Sequence, residues 1–168
     1  RDPVNAALPT QLYFLFQRAR QIQEMRQSDL FAPVRVSDFL LEKDRLFAQL
    51  TLSDDEFWLY EQVYKQLSID APLPDLVVYL QAPVEILVER VQRRGIAYEK
   101  NIQADYLTRL SDAYMQFFYR YDHAPLLIVN AESIDPVNNA QDYQLLLDRI
   151  MSAGPGREFF NPVPFQAR

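Results

Sequence analysis

The chain has 168 residues, 49% of them hydrophobic and 24% charged, a balance that suits one globular domain and excludes disordered and collagen-like polypeptides. Its 17 Lys and Arg stand against 23 Asp and Glu, so the net charge of −6 has the wrong sign for a general nucleic-acid binder. With Cys 0 and His 1, a disulfide framework, a thiolate or His-rich metal cluster and a cysteine nucleophile are also excluded. No apolar run reaches the roughly 18 residues of a membrane span, and the polar start RDPVNAALP is no signal peptide, so a soluble, cytoplasmic protein is expected.

In chain order, TQLYFLFQRARQIQEMRQ places Leu12, Phe16, Ala19 and Ile22 at helical spacing, which predicts a helix over 10–27. After Phe31-Ala32-Pro33, the β-branched run VRVS reads as a buried strand over 34–37 with Asp38 at its carboxyl end. Ser53 and Glu56 stand in capping-box spacing ahead of Phe57, Tyr60 and Tyr64, predicting a helix over 54–67. Prolines bracket the apolar run LVVYL, which suits a parallel strand over 76–80 covered on both faces. Pro83 fits the first turn and Gly95 the C-cap of a helix over 84–94, and a further helix is expected over 103–121. Pro125 then precedes a strand over 126–130, Asp135-Pro136 opens a last helix reaching about Met151, and the tail over 153–168 reads as irregular.

This order of elements implies an α/β fold with a parallel sheet flanked by helices. Ligands in such sheets bind beyond the carboxyl ends of the strands, which puts Asp38 and the Gln81 region on the functional rim. Asp38 suits a general base or metal ligand, or simply a turn carboxylate. Arg90 and Arg94, four apart, share one helix face and repel unless an anion lies between them, so they read as a phosphate clamp or as a solvated basic helix end. Glu89 and Arg93 form an ordinary pair on another face. Gln11 and Arg18, seven apart, share a face of the first helix, where a Gln amide can pair with a base edge or merely meet water. Asp44 and Glu99 are polar groups with the same two readings, and His123 in YDHAP is a structural contact.

PDLVVYLQAPVEILVERVQRRG followed by DYLTRLSDAYMQFF, together with VSDFLLEKDRLFA, resembles the deoxynucleoside kinase family, most closely its bacterial deoxyadenosine and deoxyguanosine kinases, over about residues 1–152. The resemblance implies a P-loop nucleoside or nucleotide kinase fold of three α/β/α layers, with a lid at about 90–100. It implies ATP-dependent phosphorylation of the 5′-hydroxyl of a deoxynucleoside, a purine one by preference, with Mg2+ as cofactor and a homodimer as the assembly. Position by position, Gln11 matches the glutamine that pairs with the base, Arg18 and Asp44 match a charged pair beside it, and Phe47 matches a ring against it. The segment 38–47 runs one residue short of the family pattern, which leaves Lys43 or Asp44 at the acidic place. Asp38 matches the acid of the D/E-R-S motif, the base for the 5′-hydroxyl and a magnesium neighbour. The motif here reads Asp38-Phe39-Leu40, so its arginine is lost, and Arg45 or the lid is expected to replace it. Arg90 and Arg94 match lid arginines on the ATP phosphates, Arg94 with a catalytic part, whereas Ile96 replaces a further one. Glu99 matches the carboxylate on the sugar 3′-hydroxyl.

The first of the three glycines is Gly95, so these residues contain no GxxxxGK[ST] loop. The family resemblance implies that a strand, a glycine-rich loop and a helix, about 30 residues, come before residue 1. Two other readings stand beside the kinase: a thymidylate kinase-like enzyme acting on a monophosphate, and a non-catalytic module that binds a nucleoside or a partner subunit.

Overall fold

The computed structural model describes residues 6–26, 34–67, 71–96, 102 and 104–162. The chain divides into two compact units, Arg1–Pro72 and Leu73–Arg168.

The first unit is helical among its described residues: α1 (Ala7–Arg26), α2 (Leu41–Thr51) and α3 (Asp54–Gln66). Each contributes buried residues at helical spacing to one core, Leu15 and Ile22 from α1, Leu41 and Ala48 from α2, and Tyr60 from α3. The capping box expected at α3 is present: Ser53 Oγ accepts from the Glu56 N–H, and the Glu56 carboxylate accepts from the Ser53 N–H. Helix α2 has no such signal, because its N-cap is Leu40, whose side chain cannot cap. Sequence reading therefore passed over it.

The strand expected over 34–37 does not form. Val34 and Val36 are exposed, Val36 to 94%, and no described strand pairs with this run. A short β-branched run gains little from extension without a ladder or a covered face. Ser37 turns the backbone instead, its Oγ accepting from the Phe39 N–H at 3.2 Å and donating to the Phe39 carbonyl at 3.1 Å.

The second unit is a parallel sheet flanked by helices, as expected. Strands β1 (Val77–Gln81), β2 (Leu126–Asn130) and β3 (Arg157–Phe160) lie in that order, with Val77 opposite Leu126 and Gln81 opposite Asn130. The helices are α4 (Val84–Arg94), α5 (Ala104–Arg120) and α6 (Ala140–Met151). Leu127 and Val129 of the middle strand are fully buried and pack with Leu146, Ile150 and Phe160. Gly95 ends α4 at φ 69°, a left-handed conformation that strains any residue with a Cβ.

Two expectations in this unit are corrected. Helix α6 starts at Ala140, not at Asp135-Pro136: Asp135 closes a local turn by accepting from Asn138, and Asn139 is the true N-cap, accepting from the Gln141 and Asp142 N–H groups. The tail is not irregular throughout, since Arg157–Phe160 forms β3 against β2. Four residues are too few to show a period, and side chains hold the strand in place. Arg157 donates to the carbonyls of Phe118 and Tyr121 at the end of α5, both at 3.0 Å. Glu158 accepts from Arg149 of α6 and from the Gly154 N–H.

Removing the Glu158 acceptor leaves a partly buried guanidinium and a backbone N–H unmatched. Glu158→Ala is expected to lower stability by about 1–3 kcal/mol, and Glu158→Gln by less, as read from urea denaturation midpoints.

Candidate active site

In the first unit, α1 and α2 carry the expected substrate residues. Gln11 Nε2 donates to Thr51 Oγ1 at 3.1 Å, and Thr51 Oγ1 donates to the Phe47 carbonyl at 2.8 Å, so Gln11 and Phe47 meet through a hydroxyl that sequence reading missed. The Phe47 ring is half-buried. Arg18 lies one face-repeat along α1 from Gln11, with its guanidinium 4.5 Å from the centre of the Phe39 ring and Nη1 donating to Gln21 at 2.8 Å.

Asp44 is partly buried in this unit. Burial pushes its carboxyl above the ordinary range, and Arg18 and then Lys43 pull it back in part. Burial correspondingly lowers Lys43, against the attraction of Asp44 and Asp38. Asp44 Oδ2, Arg18 Nε and the Tyr60 hydroxyl are buried with no hydrogen-bond partner. Each such atom costs roughly 1–3 kcal/mol. Tyr60, raised by burial and by the Asp44 charge, joins the charged group electrostatically, although sequence reading gave it only an apolar place. A tyrosine on the core face of α3 was the signal that its hydroxyl needs a polar neighbour.

Asp38 is exposed and does not end a strand. With Arg35, Ser37, Phe39, Gln21 and Glu24 it lines a cleft of about 560 Å³ beside α1. Arg45, one of the expected replacements for the missing motif arginine, is taken up elsewhere. Its Nε and Nη2 donate to Glu61 of α3 at 2.6 and 3.3 Å.

In the second unit, Arg90 and Arg94 lie on α4 as expected, but they are differently engaged. Arg90 Nη2 donates to the carbonyls of Ala131, Glu132 and Ile134 at 2.6, 3.3 and 3.1 Å, tying α4 to the loop after β2. Arg94 is exposed in the last turn, and Arg93 pairs with Asp135 at 3.6 Å. Gln81 lies where β1 ends, in a cleft of about 960 Å³ shared with Thr108, Ser111, Asp112, Asn130 and Glu132, the rim position expected for a parallel sheet. His123 contacts the Tyr121 ring and lies 3.9 Å from Asp122. Glu99 lies outside the described residues.

A family profile described as deoxynucleoside kinase matches residues 1–153. The chain belongs to the deoxynucleoside kinase family. It is 30% identical over 142 residues to the deoxyguanosine kinase of Bacillus subtilis, covering 80% of this chain and 67% of that protein. It is 28% identical over 148 residues to the deoxyadenosine kinase of Dictyostelium discoideum, covering 84% and 59% respectively. The fold is similar to that of the M. mycoides deoxyadenosine kinase solved with dATP, at a TM-score of 0.73 and 21% identity over 90% of this chain and 77% of that one. Among the described residues no helix is long and apolar enough to cross a membrane.

The raised Asp44 carboxyl fixes the sign of a pH effect in this family member. The unfolded carboxyl releases its proton near pH 4 while the folded one still holds it, so stability falls as pH rises between the two values. Relative to Asp44→Asn, the wild type is expected to lose melting temperature as pH rises upward from about 4, measured by paired thermal scans.

Proposed function

We propose that this kinase transfers the γ-phosphoryl group of ATP to the 5′-hydroxyl of a purine deoxynucleoside. The observation that carries the substrate reading is the buried pair Asp44 Oδ2 and Arg18 Nε, an acceptor and a donor both lacking partners. A base with adjacent donor and acceptor groups, such as the N6 amine and N7 of adenine, satisfies both and recovers their desolvation cost. The names of the deoxyguanosine and deoxyadenosine kinases it resembles support a purine. Gln11, one hydroxyl away from Phe47, is suited to the remaining base edge, and the Phe47 ring to its face. Glu99 is assigned to the sugar 3′-hydroxyl on the family pattern.

In this reading Asp38 accepts the 5′-hydroxyl proton as the oxygen bonds to the γ-phosphorus and the bond to the β-bridging oxygen breaks, releasing ADP. Exposure on the rim of a cleft gives the carboxylate the access a base needs. Phosphoryl transfer also requires positive charge on the phosphate oxygens, a part assigned to Arg94 on the family pattern. Arg90 belongs to the same ATP-binding helix, and its carbonyl contacts fix how that helix presents Arg94.

Mg2+ fits a site of this kind: it is held by one or two carboxylates together with substrate phosphates, and Asp38 offers the carboxylate. When bound, the ion supplies charge neutralisation on the phosphates. Exposed Tyr13, Phe14 and Phe16 on α1 support a homodimer through that helix, the acidic charge of −6 supports an enzyme without nucleic-acid partners, and the lack of cysteine suits the cytoplasm.

The test is ATP-dependent phosphorylation assayed across the four deoxynucleosides and their monophosphates. Turnover on deoxyadenosine or deoxyguanosine is expected. Turnover on monophosphates alone would replace this reading with a thymidylate kinase-like one, and binding without turnover would leave a nucleoside-binding module. Asp38→Asn is expected to lower kcat by about 10²-fold or more with the melting temperature unchanged, and an unaltered kcat would remove Asp38 from the chemistry.

A further inference from the structure

A glutamine amide can read a base edge in two opposite senses, because turning it by half a revolution exchanges its acceptor and its donor. A 6-aminopurine offers the N6 amine as donor beside the N1 acceptor, whereas a 6-oxopurine offers the O6 acceptor beside the N1 donor. An amide free to turn serves both edges. One that is held serves a single order.

The hydrogen bonds around Gln11 hold its amide. Thr51 Oγ1 lies 2.8 Å from the Phe47 carbonyl, which can only accept, so the single hydroxyl proton is used there. The same oxygen has only lone pairs left for Gln11, and the amide accordingly turns Nε2 toward it at 3.1 Å. Oε1 and the second Nε2 proton are thereby directed away from Thr51. Gln17 and Gln21, farther along α1, bond within their own helix to Tyr13 and Arg18, whereas Gln11 reaches across to the last residue of α2. Packing keeps the two helices at this spacing: Leu15, one turn from Gln11, and Ala48, one turn from Thr51, are fully buried in the same core.

We propose that Thr51 is a positioning residue for base recognition: its hydroxyl, bonded to the Phe47 carbonyl, locks the Gln11 amide in one sense and makes the enzyme select deoxyadenosine over deoxyguanosine. This rests on the kinase reading above and on Gln11 as the reader of the base. The direction of the preference follows from Asp44 Oδ2 and Arg18 Nε, a buried acceptor and a buried donor without hydrogen-bond partners. They match the N6 amine and N7 of adenine, which leaves the second N6 proton and N1 for Gln11 Oε1 and Nε2. Guanine fails at both places. Its O6 meets the Asp44 acceptor, and its O6 and N1–H present the reverse order to the locked amide.

The experiment measures kcat/KM for deoxyadenosine and deoxyguanosine at saturating ATP in the complete protein. The wild type is expected to favour deoxyadenosine. Thr51→Val, which keeps the shape without the hydroxyl, is expected to lower the deoxyadenosine-to-deoxyguanosine ratio about fivefold or more, with the KM for ATP within about twofold. Thr51→Ser, which restores the hydroxyl, is expected to keep the ratio within about twofold of the wild type. In a Gln11→Ala background, Thr51→Val is expected to leave the ratio within about twofold, because a residue acting through Gln11 has no amide left to orient. An unchanged ratio in Thr51→Val, an equal loss on both nucleosides, a Thr51→Ser protein as altered as Thr51→Val, or the same change of ratio in both backgrounds would overturn the proposal. If Thr51→Val does not fold, Thr51→Ala takes its place and is read in the same way. A wild type without turnover on any deoxynucleoside would refute the kinase reading instead, and an active wild type that prefers deoxyguanosine would refute this inference alone.

Discussion

The partial burial of Asp44 beside Arg18 and Lys43 is the feature that sets the first unit apart. The three helices have enough apolar surface to form a core without it: Leu15, Ile22, Leu41 and Ala48 interlock, and Tyr60 closes the group. Yet the same helices bring a carboxylate, a guanidinium and an ammonium out of water, and leave Asp44 Oδ2 and Arg18 Nε unmatched. Buried charges are weak contributors to stability, because desolvation offsets most of their attraction. Burial is indeed the largest influence on both Asp44 and Lys43. Such an arrangement persists where another component completes it. A ligand edge that satisfies both atoms gains more in a dry site than the same hydrogen bonds gain in water, and a base lacking that edge leaves the cost in place.

In the second unit the arginines of α4 are sorted by what holds them. Arg90 is bound to three carbonyls of the loop that follows β2, and Arg93 to Asp135 at the base of the turn before α6. These contacts fix the helix that leaves β1 against the loop that leaves β2, the two segments that follow neighbouring parallel strands. Arg94, one turn beyond Arg90, is presented in the last turn, where Gly95 ends the helix in a left-handed conformation. A cation at a helix C-terminus is favoured by the macrodipole, so Arg94 is stable there without a ligand.

What was legible in the sequence follows the strength of local signals. The capping box at Ser53, the proline-bracketed run at Val77–Gln81 and the Pro83 to Gly95 helix each announce themselves within a few residues, and each is present. Helix α2 has no capping side chain and begins where a run of charges hides its apolar face, so only tertiary packing of Leu41 and Ala48 reveals it. The run VRVS carries β-branched residues without any partner strand, and propensity alone does not make a strand. Strand β3 is the converse, four residues with little pattern that are ordered by Arg157, Glu158 and the β2 ladder. The candidate site divides in the same way. Gln11, Arg18, Asp38 and the α4 arginines were legible as residue types in a family pattern. That Arg45 is bound to Glu61, that Arg90 is bound to carbonyls and that Tyr60 faces Asp44 are long-range facts that no spacing encodes.

The contrast between Asp44 and Asp38 is the last physical step. Two carboxylates six positions apart, one on each side of the start of α2, are given opposite surroundings: the first is desolvated among cations, the second stands on the rim of a cleft. A recognition group benefits from a dry setting, where an unmatched partner is costly and discrimination is therefore sharp. The start of α2 at Leu41 lies between these two surroundings.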